Sequence, residues 1–218
     1  MRSYKDEGIV LDRINLGEAD RLVIIFSKHH GKIKILAKGA RKITSRRAGH
    51  LEPLNHVVFS VYKGRHFDHL LEVESKHTFA NVKNLLARVG YGYYLAELVT
   101  CLLAENQPQQ DVFDLLYETL RQLSVNPRKV YIRAFEVKML KLLGFWPSQL
   151  FREGWVTDHL LNDLETKDFN QLSRLIIDKR HDVELEGMLK SYIEAILEKE
   201  LKSPSLIKKI RNQKYDFK

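Results

Sequence analysis

The spacing of apolar residues changes once along this chain, close to residue 80. Before that point, short segments rich in Ile, Val, Leu and Phe are separated by turns that carry Gly, Asn or Asp. Val57, Phe59 and Val61 recur at every second position, which is the period of a half-buried strand. Beyond that point, apolar residues recur three and four positions apart, as on an amphipathic helix. The sequence therefore predicts an α+β chain whose strands precede its helices.

Five strands are predicted in the first 78 residues, where turn residues bound each apolar segment. They cover Glu7–Ile14, Arg21–Ser27, the segment that begins at Gly31, Leu51–Tyr62 and Phe67–Glu74. The first two are joined by a turn and form a hairpin. Five short strands with Gly-bearing turns favour a small closed or partly closed barrel. We expect residues 1–78 to form this barrel domain.

Residues 79–218 are predicted to form a helical domain. The predicted helices run from about Asn81 to Asn106, through Val112–Leu123, from about Pro127 to Leu143, over Phe169–Ile177 and over Glu186–Leu201. Pro127 suits the first turn of its helix and Gly144 suits the stop. Residues 144–168 carry an aromatic cluster and scattered acids, and we interpret this segment as irregular.

One basic segment dominates the electrostatics of the predicted barrel. Between Lys28 and Arg47 there are eight Lys or Arg residues and no Asp or Glu, in a chain of net charge +8. The strand alternation buries Ile33 and Ile35 and predicts that Lys32 and Lys34 point to solvent. Cations gathered on a strand and its loop suit a polyanionic backbone, because each neutralised phosphate releases counterions. The sequence therefore favours a nucleic acid or an anionic membrane surface as partner.

A second group of cations lies in the turn after the fourth strand. Lys63 and Arg65 are flanked by Tyr62 and Phe67, whose rings offer faces on which unpaired bases can stack. For Phe67, packing at the end of the barrel is the favoured alternative. These residues extend the predicted nucleic-acid surface.

The sequence offers little catalytic chemistry. Cys101 is the single cysteine, which excludes an internal disulfide and any multi-cysteine zinc site. The histidines and acids between His66 and His77 lack a convincing metal-ligand arrangement, and Glu136 suits an ordinary helix surface. There is no phosphate-binding glycine loop, no signal peptide and no apolar run of about 20 residues. We predict a cytoplasmic protein that is no enzyme and has no catalytic residue, metal or cofactor.

Several motifs of this chain resemble one known family. They are Gly17-Glu18-Ala19-Asp20-Arg21-Leu22-Val23, Gly31-Lys32, Ala37-Lys38-Gly39-Ala40-Arg41-Lys42, Ser45-Arg46, Leu51-Glu52-Pro53-Leu54 and Tyr62-Lys63-Gly64-Arg65. In this order and spacing they are similar to the bacterial recombination mediator family RecO. The resemblance is strongest before residue 75 and continues through Arg133-Ala134-Phe135-Glu136 to Pro147.

The resemblance implies an N-terminal five-stranded OB-fold barrel followed by an all-α domain. It also implies a bacterial, nucleoid-associated protein that binds single- and double-stranded DNA and anneals complementary strands. The implied partners are RecR and the acidic C-terminal tail of single-strand binding protein, with RecA loaded indirectly. The candidate DNA-binding residues are Lys32, Lys34, Lys38, Arg41, Lys42, Arg46, Arg47, Lys63 and Arg65. Arg133, beside Leu140, is implied in receiving the tail peptide.

This chain departs from the family pattern in one respect. Many members carry zinc-binding cysteines after the Leu-Gly-x-x-Pro segment, whereas residues 148–154 contain none here. We expect the aromatic residues Trp146, Phe151 and Trp155 to close this region instead. An RNA-binding or ribosome-associated OB module is the alternative function, and a nuclease built on Glu136 and the scattered acids is a third.

Overall fold

The computed structural model describes residues 3–84, 86–146 and 155–204, and it begins with a closed five-stranded barrel. The strands are β1 (Ser3–Leu16), β2 (Asp20–Ser27), β3 (Gly31–Ala37), β4 (His56–Tyr62) and β5 (Asp68–His77). They follow the order β1-β2-β3-β5-β4 around the barrel, and every neighbouring pair is antiparallel except β3 and β5. The predicted α+β architecture, with an OB-type barrel first and helices after it, is confirmed.

The interior of the barrel is filled by the alternating apolar residues of its strands. Val23 and Ile25 of β2, with Ile33 and Ile35 of β3, are buried in one cluster with residues from the other three strands. Because side chains alternate across a strand, the residues between them point away from the barrel axis. The predicted strand period therefore decides which side chains face inward.

Seven helices lie wholly within the described part of the chain, and residues 202–204 at its end are also helical. They are α1 (Ala80–Lys83), α2 (Leu86–Leu102), α3 (Gln110–Val125), α4 (Lys129–Leu142), α5 (Trp155–Thr166), α6 (Phe169–Leu172) and α7 (Lys179–Leu197). The predicted helix at Pro127–Leu143 matches α4 closely. The single helix predicted from Asn81 is instead divided, since α1 ends before α2 begins.

Three predictions for the later helices are wrong. Part of the segment predicted to be irregular forms α5, because Leu161 and Leu164 are spaced to bury one helix face. The helix predicted over Phe169–Ile177 ends after a single turn at Leu172. The last helix also begins earlier than predicted, because the Asp178 side chain accepts hydrogen bonds from two backbone N–H groups of its first turn.

The helices pack on the outer faces of β1 and β2. Ile9 and Leu11 of β1 and Ile24 and Phe26 of β2 are buried in the same core as residues of α2, α3 and α4. This contact is continued by the segment after α2, where the Asn106 N–H donates to the Lys32 carbonyl over 2.9 Å. The outer faces of β1 and β2 are therefore partly covered by the helices.

A cluster of charges lies at the junction of barrel and helices. The Glu7 carboxylate lies 3.1 Å from Lys28 Nζ, 2.7 Å from Lys76 Nζ and 3.5 Å from the His56 ring. The hydrogen bond from Lys76 is the largest cause that lowers the pKa of Glu7 to about 2, and Lys28 adds to it. Glu7 thus links β1 to β5 and to the turn after β2.

We expect acid to remove the stabilisation that comes from Glu7. Because its folded-state pKa is depressed, the contribution is complete above pH ~4.5 and is lost as the pH falls toward about 2. Glu7→Gln should lower the free energy of unfolding at pH 7 by about 1 kcal/mol and flatten its pH dependence in that window. Urea denaturation at several pH values measures this, with Glu72→Gln on exposed β5 surface as control.

Gly31 is required at the close approach of the barrel to the helices. Its φ is +72°, and an added Cβ would lie 2.1 Å from the Gln107 carbonyl oxygen. Gly17 has a φ of +57° but nothing within 4 Å of an added Cβ. A change of Gly17 to Ala therefore measures the cost of the positive φ alone, without a steric clash. We expect Gly31→Ala to destabilise the protein by about 2 kcal/mol more than Gly17→Ala in urea denaturation. Equal losses would contradict the close approach.

Candidate nucleic-acid interface

The connection from β3 to β4 closes one end of the barrel. Ala40, Leu51 and Leu54 are buried along it. Its first turn is held by the β1–β2 hairpin, because the Gly39 N–H donates to the Asp20 carboxylate over 2.7 Å. Buried apolar residues and a hydrogen bond thus anchor the connection from beneath. We call residues 38–47 of this connection the basic loop.

The cations of the basic loop point away from the barrel. Lys38, Lys42 and Arg46 are exposed, and Arg41 is exposed while it donates to the Gly17 carbonyl over 2.6 Å. Arg47 is half-buried and reaches the Leu70 carbonyl of β5 at 3.4 Å. No carboxylate of the described residues lies within 4.0 Å of these five cations. Their charge is therefore not neutralised locally.

The turn between β4 and β5 lies next to the end of β3. The two-residue parallel pairing sets Leu36 of β3 beside His69 of β5, shortly after the turn. Lys63 and Arg65 are exposed in this turn, and Lys63 Nζ lies 5.6 Å from the centre of the Tyr4 ring. The turn thus adds two exposed cations close to the strand from which the basic loop starts.

Arg21 is a further cation near the basic loop that was not among the candidate residues. Its Nε and one Nη atom are buried without a hydrogen-bond partner. Burial lowers the pKa of Arg21, and the charges of Arg13 and Arg41 lower it further, while Glu52 opposes them. The guanidiniums of Arg13 and Arg41 thus act on the charge of Arg21. Arg21 ends the Gly-Glu-Ala-Asp-Arg motif, one of the motifs that carry the family resemblance.

The exposure predicted for Lys32 is wrong, and Lys34 is only partly free. The Lys32 side chain is buried, donates to the Thr100 carbonyl of α2 and has a pKa lowered by that burial. Lys34 is exposed but forms an ion pair of 2.5 Å with Glu105. The physical reason is that α2 and the segment after it cover the outer face at the start of β3. Neither lysine lies on the surface formed by the basic loop.

The two aromatic residues beside the β4–β5 turn are both accessible. Tyr62 is 38% exposed and Phe67 is 39% exposed. Because more than half of the Phe67 side chain is covered, its packing at the end of the barrel stays a prediction. Both rings lie close in sequence to Lys63 and Arg65.

The predicted peptide-binding pair lies in the interior of the helical domain. Arg133 is 3% exposed and its guanidinium lies 2.8 Å from the Glu136 carboxylate, to which the Tyr94 hydroxyl also donates. Leu140 is fully buried. Burial raises the pKa of Glu136, so the interpretation of Glu136 as an ordinary surface charge is also wrong. The other buried residues of α4 are nearly all apolar, and they surround Arg133, Glu136 and Leu140, so that none of the three lies on the surface.

The described residues show no group of three metal-ligating side chains close enough to hold an ion. Residues 147–154, which include the expected aromatic closure at Phe151, lie outside the described residues, as do residues 205–218. None of the described helices is both long and apolar enough to span a bilayer.

Two family models match this chain in consecutive segments. Residues 1–79 match the model described as Recombination protein O N terminal. Residues 84–149 match the model described as Recombination protein O C terminal. The boundary between the two matches falls in the short segment between β5 and α2.

Proteins named DNA repair protein RecO are similar to this chain. The protein of Pelotomaculum thermopropionicum is 38% identical over 147 residues, which are 67% of this chain and 57% of the relative. The protein of Desulforamulus reducens is 29% identical over 245 residues, with 96% of each chain covered. That of Symbiobacterium thermophilum is 35% identical over 150 residues, or 68% of this chain and 59% of the relative. The match spans less than two thirds of the first and third relatives.

The buried Arg133–Glu136 pair predicts a stability defect. Arg133→Ala leaves a buried carboxylate without its partner, so we expect the free energy of unfolding to fall by about 3–5 kcal/mol. Arg121→Ala is the matched control, because Arg121 forms an exposed pair with Glu118 at the same helical spacing. The control should cost about 0–1 kcal/mol. Urea denaturation compares the two, and similar losses would contradict the burial of Arg133.

Proposed function

Because this chain belongs to the RecO family of DNA repair proteins, we propose that it is a recombination mediator that binds DNA through its basic loop. The observation that carries the proposal is a set of four exposed cations, Lys38, Arg41, Lys42 and Arg46, without a carboxylate partner among the described residues. Phosphate groups are the ligands that such a set suits best, because each phosphate can take a charge-assisted hydrogen bond. Lys63, Arg65 and Arg21 extend the same surface.

The proposed binding is independent of base sequence. Lys and Arg side chains that contact phosphates position the nucleic acid and carry no sequence information. The basic loop can therefore accept single- and double-stranded DNA, and any pair of complementary strands. By screening the charge of two strands on one protein, it lowers the repulsion that opposes their pairing. We infer that strand annealing is the activity that follows from this surface.

We further propose that the protein is not an enzyme and acts through partners. The partners are RecR and the acidic C-terminal tail of single-strand binding protein, and the outcome is loading of RecA onto DNA in the bacterial nucleoid. An acidic tail suits a chain of net charge +8. Since Arg133 is enclosed with Glu136, exposed cations of the helical domain would take the tail carboxylate in its place.

Charge reversal in the basic loop tests the binding surface. We expect Arg41→Glu with Lys42→Glu to weaken DNA binding at least tenfold at moderate salt. The slope of log affinity against log salt should become shallower by about two, because two phosphate contacts are lost. Lys179→Glu with Arg180→Glu is the matched control, because it makes the same change at exposed positions of α7. Fluorescence anisotropy with labelled single strands over a salt series measures both. Equal losses in the two variants would reject the basic loop as the site.

Annealing of complementary strands tests the activity itself. The protein should accelerate annealing of strands covered by single-strand binding protein, and the Arg41→Glu and Lys42→Glu variant should not. Competition between single-stranded DNA and RNA of equal sequence separates this function from that of an RNA-binding module. A clear preference for RNA, or annealing that the variant leaves unchanged, would overturn the proposal.

A further inference from the structure

One buried side chain links the segment after the basic loop to other parts of the fold. Asn55 lies between the basic loop and β4 and is 1% exposed. Its amide nitrogen donates to the carbonyls of Gly49 over 2.9 Å and His50 over 3.0 Å, and lies 3.4 Å from the Ser75 hydroxyl of β5. Its amide oxygen accepts a hydrogen bond from the Lys83 ammonium of α1. Asn55 thus connects the loop to a strand and to a helix.

The partners of Asn55 determine the orientation of its amide group. An ammonium only donates hydrogen bonds, and a backbone carbonyl only accepts them. The amide oxygen must therefore face Lys83, and the amide nitrogen must face the two carbonyls. A carboxylate could not donate to the carbonyls, and a hydroxyl has one proton for two of them. The position thus requires an amide, and Lys83 fixes the direction in which the amide points.

The basic loop is held at both of its ends. At its start, the Asp20 carboxylate accepts the hydrogen bond from the Gly39 N–H. At its end, the His50 N–H donates to the Arg47 carbonyl over 3.1 Å, in the turn whose carbonyls Asn55 binds. The exposed cations of the loop lie between these two anchors. The anchors therefore set where the cations are displayed.

The backbone beside Asn55 is strained. Leu54 has a φ of +68°, in a region that residues other than glycine rarely adopt. Its side chain is buried in the core of the helices, and its N–H donates to the Val10 carbonyl of β1 over 2.7 Å. Such strain persists only where the surrounding contacts over-determine it. The end of the loop connection is thus a point that barrel and helices fix together.

We propose that Asn55, with its amide oriented by Lys83, is a positioning residue for DNA binding by the basic loop. Asn55 is buried and does not touch the DNA. It holds the backbone after Arg47, so that the cations before it can contact several phosphates at once. A loop with one end released would have to be ordered on binding, which reduces affinity. This role rests on the proposed DNA binding, and it makes α1 a part of what positions the binding surface.

The test changes Asn55 and leaves every cation in place. Asn55→Ser removes the amide and adds no charge. We expect this variant to bind a single-stranded oligonucleotide roughly fivefold more weakly. The slope of log affinity against log salt should become shallower by about one, because a loosened loop contacts fewer phosphates at once. Fluorescence anisotropy over a salt series measures both quantities, and a merely stabilising role of Asn55 would leave the slope unchanged.

Limited proteolysis reports on the loop without DNA. Trypsin cleaves after Lys and Arg, and the basic loop contains five of these residues. We expect Asn55→Ser to be cut between residues 38 and 47 at least about threefold faster than the unmodified protein, because a released loop is more accessible to the protease.

Leu189→Ala is the control for general loss of stability. Leu189 of α7 is fully buried in the core of the helices, so its truncation destabilises the protein while both ends of the basic loop keep their contacts. DNA affinity, salt slope and loop cleavage should remain as in the unmodified protein.

Lys83→Met carries the same test if circular dichroism shows that Asn55→Ser is unfolded. It keeps the aliphatic stem but leaves the amide oxygen of Asn55 without its donor, so trypsin should again cut the loop faster. Lys141→Met controls for the loss of one positive charge, because Lys141 is an exposed lysine that pairs with Glu165. Equal cleavage of the loop in the two lysine variants would reject the positioning role.

The outcomes separate this role from the proposed function. If Asn55→Ser keeps the affinity and the salt slope of the unmodified protein, or if Leu189→Ala loses as much affinity, the positioning role is rejected while DNA binding stands. If the unmodified protein does not bind the oligonucleotide, or if charge reversal at Arg41 and Lys42 leaves binding unchanged, the basic loop is not the site and both proposals fail.

Discussion

The packing of the helices on the outer faces of β1 and β2 is the contact on which the rest of the structure depends. The side chains of Ile24 and Phe26 face outward from the barrel and pack in the core of the helices. This shared core joins the two parts of the chain. The same contact buries Lys32 and pairs Lys34 with Glu105. It covers part of the outer barrel surface and leaves the basic loop open to solvent.

The basic loop has a structural and an electrostatic role at once. Its connection to β4 packs Leu51 in the barrel core and Leu54 in the helical core, and their burial holds the backbone in place. The intervening Lys and Arg residues cannot be buried without partners, because an unpaired charge in the interior costs several kcal/mol. They are therefore displayed outward on a fixed backbone. Cations displayed in this way can contact phosphates whatever the base sequence.

Some cations of this chain are exposed and others are buried, and their neighbours along the chain explain the difference. Lys38 and Lys42 lie in a loop where nothing packs on them, and their exposure follows from local sequence. Arg133 lies in α4, where apolar residues occupy nearly every side of the helix, so its guanidinium and the Glu136 carboxylate are buried as a pair. The i,i+3 spacing allows this pairing, but an exposed pair such as Glu118 and Arg121 has the same spacing. Spacing alone therefore did not distinguish the two.

The sequence by itself determined the barrel, the order of strands before helices and the one-sign charge of the basic loop, because each depends on residues close together in the chain. Only the tertiary structure decided which outward positions are covered. Strand alternation shows that Lys32, Lys34 and Leu36 leave the barrel interior, but it does not show what they meet outside. Lys32 contacts Thr100 of α2, and Lys34 contacts Glu105 after it. On β2, Ile24 opposite Lys34 is buried in the helical core, whereas Leu22 opposite Leu36 is not part of it. Where that coverage ends is set by the packing of distant segments, and it is there that the surface proposed for DNA begins.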